Sequence, residues 1–373
     1  MSAINNRERF LRMLDFSPVD RGFNHELPLW VQTYDRWHTE GMPDDVHIGD
    51  LMAGCAFFGV DRVGYLPLRV TEMMPPFRVE VLEEDERYRV MRFADGHITR
   101  ALKEGESGGM RMSMDQYLSF PVVDRDSWQD VRRRYNPRSP ARYPEWWEDL
   151  KRCLAGRDYP LYLTRNGCFG LYSFLRRLMG TELACTIFYD DQALADEILD
   201  YLTDYLIELI HPVLDQVEVD VFNYFEDFAY NAGPLIGPTI FRRFLFARYR
   251  RINDLLRAHG VRHILLDSDG NSSVLLPLMI EAGITCHWPL ERTTMDPLAV
   301  RAEYGHDLAL IGGIDKRALA RGRKAITAEL YRIIPPLIED GGYIPTLDHA
   351  VPPDVSYDNW MYYMELKLRL LGS

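Results

Sequence analysis

Five stretches in the C-terminal two-thirds of the chain share one plan, a short apolar run that ends on acidic or histidine side chains. The runs cover residues 219–225, 263–266, 284–290, 308–314 and 343–347. A short apolar run is typical of a buried parallel strand, and most of the intervening segments are long enough for a crossover helix. Repeated strand–helix units with polar groups at the strand ends predict an α/β fold, a single (β/α)8 TIM barrel.

Size and composition support one large domain. The chain has 373 residues, of which 47% are hydrophobic, and we expect a single domain over residues 1–373. The formal net charge of -13 argues against nucleic-acid binding, which needs basic surfaces. No apolar run reaches the length of a membrane span. Five scattered cysteines without a CxxC motif favour a cytoplasmic protein.

Two further segments are expected to decorate the barrel. The first residues form an amphipathic pattern that predicts an N-terminal helical extension. Residues 77–83 and 88–93 alternate apolar and polar side chains, and Asp95-Gly96 supplies a turn. We therefore predict a small antiparallel β insertion near residues 77–120, on the rim of the barrel. Ser356 is expected to cap a closing helix that runs to about residue 371.

If the runs are strands of one barrel, the polar residues that follow them converge on one pocket. These residues are Asp227, Asp267, Asp269, Glu291, Asp315, Asp348 and His349. Crowded carboxylates resist ionising together. A bound cation, a basic partner, or raised pKa values suited to proton transfer would each relieve the crowding.

Metal binding is one interpretation of this cluster. Asp267 and Asp269 are two residues apart, so on an extended chain both side chains point to the same side. His349 would add a nitrogen ligand, and Glu291 or Asp348 a further oxygen, a set that suits Zn, Mn or Fe. The alternatives are structural: the aspartates cap helices, and His349 is only a hydrogen-bonded side chain.

Two other places are candidates for substrate binding. Trp30, Tyr34 and Arg36 belong to an aromatic cluster with one cation, and Asn166 follows a predicted strand. Arg36 suits an anionic substrate. Aromatic residues also pack in cores, and an arginine also pairs with surface acids.

Several motifs resemble the uroporphyrinogen decarboxylase superfamily along nearly the whole chain. The strongest is the segment 305–317, which reads GHDLALIGGIDKR. The others are residues 6–10 with 19–21, residues 170–180, Glu226-Asp227 and residues 341–344. The resemblance implies the barrel fold and a homodimer. It lies nearer to the corrinoid-dependent methyltransferase-like branch than to the true decarboxylases.

The resemblance implies two different reactions. The decarboxylase branch grips its tetrapyrrole with an Arg-rich loop, but the corresponding segment here has Arg36 alone. The methyltransferase branch uses zinc held by His-x-Cys and a later Cys to activate a thiol. The corresponding positions are Asp267, Asp269 and Asp348-His349, so the sulfur ligands are missing. Such a metal would act as a Lewis acid on an oxygen or nitrogen of the substrate.

We therefore expect metal-assisted demethylation of an O- or N-methyl small molecule, with a corrinoid protein as partner and no nucleotide cofactor. Asp267, Asp269 and His349 would hold the metal, most simply zinc. Asp227, Glu291 and Asp348 are the predicted catalytic residues, and the predicted substrate-binding residues are Trp30, Tyr34, Arg36, Asp61 and Asn166.

Two alternatives stay open. The first is a cofactor-independent decarboxylase, in which Arg36 binds a carboxylate and Asp61 or Asp227 protonates the carbanion equivalent that loss of carbon dioxide leaves. The second is a non-catalytic binding subunit.

Overall fold

The computed structural model describes residues 4–46, 51–103, 106–107, 110–111, 115–164 and 169–372. Its helices are α1 Asn6–Leu14, α2 Val31–Thr39, α3 Arg125–Arg132, α4 Trp147–Leu154, α5 Leu171–Asp190, α6 Gln192–Leu214, α7 Pro238–Ile240, α8 Phe246–Ala258, α9 Leu276–Ala282, α10 Pro297–Tyr304, α11 Lys316–Ala320, α12 Arg323–Asp340 and α13 Tyr357–Leu370. Its strands are β1 Gly64–Tyr65, β2 Glu80–Glu84, β3 Tyr88–Arg92, β4 Ile98–Leu102, β5 Glu106–Ser107, β6 Met110–Arg111, β7 Gln116–Ser119, β8 Leu161–Tyr162, β9 Val221–Phe225, β10 Ala229–Tyr230, β11 Gly233–Pro234, β12 His263–Asp267, β13 Cys286–Leu290, β14 Ala309–Gly312 and β15 Tyr343–Ile344.

The centre of the molecule is a curled parallel sheet. Its seven described strands lie in the order β1-β8-β9-β12-β13-β14-β15, and every neighbouring pair is parallel. All five apolar runs of the sequence contain one of these strands. Alternate strand residues face opposite sides, so Leu265, Trp288 and Ile311 point to the inner face while their neighbours meet the outer helices. Phe10 and Met13 of α1 pack against the same inner cluster.

The sheet is narrower than the eight strands that the sequence pattern predicts. In the described residues, an extended segment over residues 22–29 lies between β1 and β15 without joining the ladder as a named strand. Asp61 N donates to Asn24 O over 2.8 Å on one side. Leu29 forms a parallel bridge with Val351 on the other. Phe23 and Leu27 of this segment complete the inner apolar cluster.

A buried ion pair fastens this segment to the last helix. Glu26 and Lys367 are both fully buried, and the Lys367 ammonium donates to a Glu26 carboxylate oxygen. Lys367 also donates to His25 O over 2.6 Å, and the Tyr363 hydroxyl donates to Glu26. A buried charge is tolerated only when it is paired and hydrogen-bonded, so this group depends on α13 packing in its observed place. As expected, the Ser356 side chain caps α13 by accepting from Asn359 N.

A four-stranded antiparallel sheet, in the order β2-β3-β4-β7, covers one end of the parallel sheet. Phe120, which follows β7, packs on α5 at Gly180. Gly180 has a φ of +78°, and a Cβ there would lie 2.4 Å from the Phe120 ring. Glycine is therefore required where the added sheet meets the barrel helix.

None of the described helices combines the length and the apolar run that crossing a membrane requires.

Loss of the Glu26–Lys367 pair should destabilise the protein strongly. Lys367→Met leaves the Glu26 carboxylate buried and unpaired, and we expect a loss of about 3–5 kcal/mol in the free energy of unfolding. Urea denaturation measures this loss. The exposed lysine of α12, in Lys324→Met, is the matched control. The double variant Glu26→Gln, Lys367→Met should recover part of the loss, and equal midpoints for Lys367→Met and Lys324→Met would contradict the assignment.

Candidate active site

The ends of strands β9, β12, β13 and β15 bring most of the predicted acidic residues to one edge of the sheet. Asp227 follows β9, Asp269 follows β12, Glu291 follows β13, and Asp348 and His349 follow β15. Within this group, Asp269 Oδ2 lies 3.8 Å from His349 Nε2. Because parallel strands end together, residues more than a hundred positions apart in sequence meet at this edge. We call the edge formed by Asp227, Asp269, Glu291, Asp348 and His349 the mouth.

Asp269 is an accessible acid whose surroundings favour its protonated form. Its side chain keeps 42% of its surface exposed. Partial burial, and then the charges of Asp227 and Glu291, raise the pKa of Asp269 to about 6, while the Lys316 charge acts in the opposite direction. Burial and Lys316 also lower the pKa of His349. Near pH 6 this pair therefore combines a carboxyl that is about half protonated with an imidazole whose neutral form is favoured.

Asp348 is buried, and its two oxygens are both used by backbone groups. Oδ2 accepts from Arg292 N over 3.2 Å, and Oδ1 accepts from Lys316 N over 3.1 Å. Burial raises the pKa of Asp348 to about 6, in spite of these donors and the Lys316 charge. Since the donors belong to the loop after β13 and to the start of α11, Asp348 joins these two segments.

Glu291 and Lys316 complete the electrostatics of the mouth. Glu291 Oε2 accepts from Gly270 N and Oε1 accepts from the Thr293 hydroxyl, each over 2.9 Å, so Glu291 orients the loop that carries Asp269. Lys316 is half-buried at the start of α11, and within the described part of the chain no carboxylate lies within ion-pair distance of its ammonium. Lys316 was not among the predicted site residues. Asp315 pairs with Arg317 and Arg321.

Asp227 connects this acidic group to a cavity of about 710 Å³ beneath the antiparallel sheet. Its carboxylate pairs with Arg176 over 2.9 Å. Arg176 and Arg177 from α5 line one wall, and the opposite wall comes from the antiparallel sheet and its loops, including Asp95, His97, Tyr117 and Phe120. Arg177 has no carboxylate within ion-pair distance among the described residues. Among the described residues, Arg177 is therefore a cavity cation without a salt bridge, although its charge acts on Asp95 of the opposite wall.

Glu226 precedes Asp227 in the chain but has a structural role. The sequence alone did not distinguish the two acids. Its carboxylate is fully buried and accepts from Tyr172 N over 3.1 Å, from Ser173 N over 2.9 Å and from the Tyr249 hydroxyl. The first two donors are free N–H groups at the start of α5. Gly170 lets this helix start so close, because a Cβ there would lie 1.9 Å from Phe225 O. Burial raises the pKa of Glu226 to about 8.

The predicted three-residue ligand set is not assembled. Asp267 is 5% exposed at the end of β12, whereas the side chains of Asp269 and His349 are each about two-fifths exposed. Among the described residues, no group of three ligand atoms within 4.8 Å of one another includes these residues. The prediction assumed an extended chain through Asp269, but β12 ends at Asp267 and Gly270 adopts a φ of +75°. Asp269 and His349 alone fit two positions of an O/N coordination sphere.

The predicted substrate-binding residues lie in different places. Arg36 is committed to Glu40 over 2.6 Å and to Pro353 O over 2.8 Å, and Tyr34 donates to Val46 O. Trp30 is half-buried, and its backbone N–H meets Val351 O just after the mouth residue His349. Trp30 and Arg36 thus both contact the backbone of the segment that follows His349. Asn166 lies outside the described residues.

Asp61, which we predicted to bind substrate, does not lie at the mouth. It precedes β1, at the amino-terminal end of the sheet and away from the mouth, because the acid lies before its strand instead of after it. Two hydrogen bonds of 2.7 and 2.6 Å from Arg21 and one of 2.9 Å from Asn24 N occupy its oxygens. A carboxylate so fully used anchors the N-terminal segment and is not available to a substrate at the mouth.

Comparison with known proteins agrees with the family expected from the sequence. The family model described as uroporphyrinogen decarboxylase (URO-D) matches residues 100–367. The chain belongs to the URO-D family. Curated proteins include no match to the sequence. Among solved structures, this URO-D protein is similar to a methyltransferase from Methanosarcina mazei, with a TM-score of 0.58 and 16% identity over 98% of each chain. At that identity the likeness establishes a shared fold.

The raised pKa of Glu226 predicts a pH dependence of stability in this URO-D protein. A folded-state pKa of about 8, against the ordinary 4.5, means that the folded chain binds this proton more tightly than the unfolded chain. The resulting stabilisation is complete below about pH 4.5 and is lost as the pH rises through about 8. Relative to Glu226→Gln, the wild type should lose up to about 1.4 kcal/mol per pH unit between these limits. Urea midpoints of both proteins from pH 5 to 9 test this, and parallel curves would contradict it.

Proposed function

We propose that this protein catalyses methyl transfer from an O- or N-methyl small molecule to a corrinoid protein, with Asp269 as the general acid. The observation that carries the proposal is the pair of strand-end carboxyls, Asp269 and Asp348, with pKa values raised to about 6. Family membership and the fold shared with a methyltransferase support the same reaction class. The proposal includes a corrinoid partner, a homodimer and a cytoplasmic location. It also includes a closed eight-membered barrel that residues 22–29 complete.

The reaction needs a proton at a defined place. The methyl–heteroatom bond breaks, the methyl group passes to the nucleophilic acceptor, and the heteroatom keeps the electron pair. Protonation of that oxygen or nitrogen makes it a better leaving group. Asp269 is exposed enough to reach a substrate and still holds its proton near pH 6. The buried Asp348 acts as a positioning residue, because its oxygens are occupied by the loops on either side.

The cavity beneath the antiparallel sheet would hold the body of the substrate. Arg177 provides a cation without an ionic partner in the described structure, so we propose a substrate whose anionic or strongly polar end meets Arg177 while its methyl group lies near Asp269. Asp227 is shared by the cavity wall and the acidic group, and it links the two halves of the site.

The proposal also includes a divalent metal, most simply zinc, which suits mixed oxygen and nitrogen donors. No reaction step is assigned to this metal. Asp269 and His349 are the residues that would hold the metal. Because a metal ligand is deprotonated, a bound metal would replace the Asp269 proton and would itself polarise the substrate heteroatom. The decarboxylase alternative is weaker, because Arg36 and Asp61 are both committed to other partners.

Asp269→Asn should lower kcat/KM by about 10²–10⁴-fold, since the proton donor is removed while the shape is kept. A panel of aryl methyl ethers and N-methyl compounds, with free cob(I)alamin as acceptor, provides the assay through loss of cob(I)alamin absorbance. Asp307→Asn, an exposed aspartate near the amino end of β14, is the matched control. Carbon dioxide release from carboxylate substrates without any methyl transfer would refute the proposal in favour of the decarboxylase.

The pH profile gives a second, independent measurement. Because Asp269 acts in its protonated form and its pKa is raised to about 6, wild-type kcat/KM should be highest below that pH and decline tenfold per unit above it. Asp269→Asn should lack this decline. A wild-type rate that instead increases through pH 6 would assign Asp269 as a base.

Arg177→Met should raise KM with little change in kcat for a substrate with an anionic end, and Arg177→Lys should restore part of the affinity. Steady-state kinetics with charged and neutral members of the same panel separate the two effects. Equal KM values for Arg177→Met and the wild type on the charged substrates would remove Arg177 from the binding site.

A further inference from the structure

A second group of metal-ligating side chains lies on the surface at the other end of the molecule. His211, Asp215 and His259 each offer one ligand atom, and the three atoms lie within 4.8 Å of one another. His259 Nε2 is 3.3 Å from Asp215 Oδ1, and His211 Nε2 is 4.0 Å from Asp215 Oδ2. In the part of the chain that the structure describes, this is the one such group.

The fold brings these residues together from two packed helices. His211 and Asp215 are four residues apart at the end of α6, so they lie on one face of that helix. His259 follows the last residue of α8, which packs against α6. Both helices end just before their strands, β9 and β12, begin. The group therefore lies at the amino-terminal end of the strands, whereas Asp269 lies at their carboxyl-terminal end. It has no part in the proposed chemistry.

The hydrogen bonds of His259 prepare it as a ligand. Its Nδ1 is 2.9 Å from Leu255 O. A carbonyl only accepts, so Nδ1 carries a proton, and Nε2 is the ring nitrogen that faces Asp215. A backbone carbonyl behind the second ring nitrogen is the usual support of a metal-bound histidine. The carbonyl ends of α6 and α8 also converge here, and their partial negative charge favours a cation.

The spacing suits zinc. Bonds of about 2.0–2.1 Å in a tetrahedron separate ligand atoms by about 3.3 Å. The 3.3 Å between His259 Nε2 and Asp215 Oδ1 already has this value. The 4.0 Å between His211 Nε2 and Asp215 Oδ2 would shorten to it if the exposed His211 side chain moved toward Asp215. We propose that His211, Asp215 and His259 form a zinc site, with water in the fourth position, that joins the ends of α6 and α8. Because the folded state alone assembles the three ligands, bound zinc would stabilise the protein.

The test uses the full-length protein after removal of metal with a chelator. Zinc binding is measured by competition with a chromophoric chelator, and thermal unfolding is recorded with and without Zn²⁺. The variants are His211→Ala, His259→Ala (combined) and Asp215→Asn. The matched control is His306→Ala, which removes another exposed histidine paired with a single aspartate, Asp340, over 3.2 Å. The variant Asp269→Asn, His349→Ala reports any zinc held at the mouth.

We expect the double histidine variant to lose one equivalent of bound zinc and the zinc-dependent rise in melting temperature. His306→Ala and the mouth variant should keep both. Circular dichroism checks that each variant is folded, and visible absorption of the Co²⁺-loaded wild type reports tetrahedral ligation independently of mutation. Zinc stoichiometry unchanged in the double histidine variant, or no zinc bound by the wild type, would overturn the proposal.

Discussion

The burial of carboxyl groups where parallel strands end is the interaction on which the candidate site depends. Each strand delivers an acid to the same edge, and the surrounding protein keeps these acids partly away from water. Burial and mutual repulsion then favour the protonated form of Asp269 and Asp348. A sheet with antiparallel neighbours would divide the same acids between two edges, and neither group would be perturbed in this way.

The acids at the mouth differ in what they do because their hydrogen-bond partners differ. Glu226 and Asp348 accept from backbone N–H groups and hold a helix start and two loops in position. Asp269 has no such role, and its partner is the imidazole of His349. The division follows a general pattern, in which a carboxyl that is saturated with donors supports the structure while one with spare capacity is available for chemistry.

The sequence predicted the parts of the structure that depend on local pattern. Apolar runs located the strands within a few residues, and the strand-end acids followed from chain direction alone. The sequence could not predict the direction of a side chain where it depends on the rotation of a helix about its axis or on the residue at which a strand begins or ends. Asp267 and Asp269 diverge because β12 stops between them, Arg177 turns into the cavity because of how α5 is rotated, and Asp61 precedes its strand instead of following it. The His211–Asp215–His259 group needed the packing of two helices.

The contact between residues 22–29 and α13 has a consequence for how the protein is made. Glu26 leaves the ribosome early, yet its counter-ion Lys367 is synthesised more than three hundred residues later. Until then, the N-terminal segment cannot be buried without isolating a charge. Closure of the sheet on this side therefore cannot precede the synthesis of α13, and residues 22–29 stay in water while the intervening strand–helix units are made.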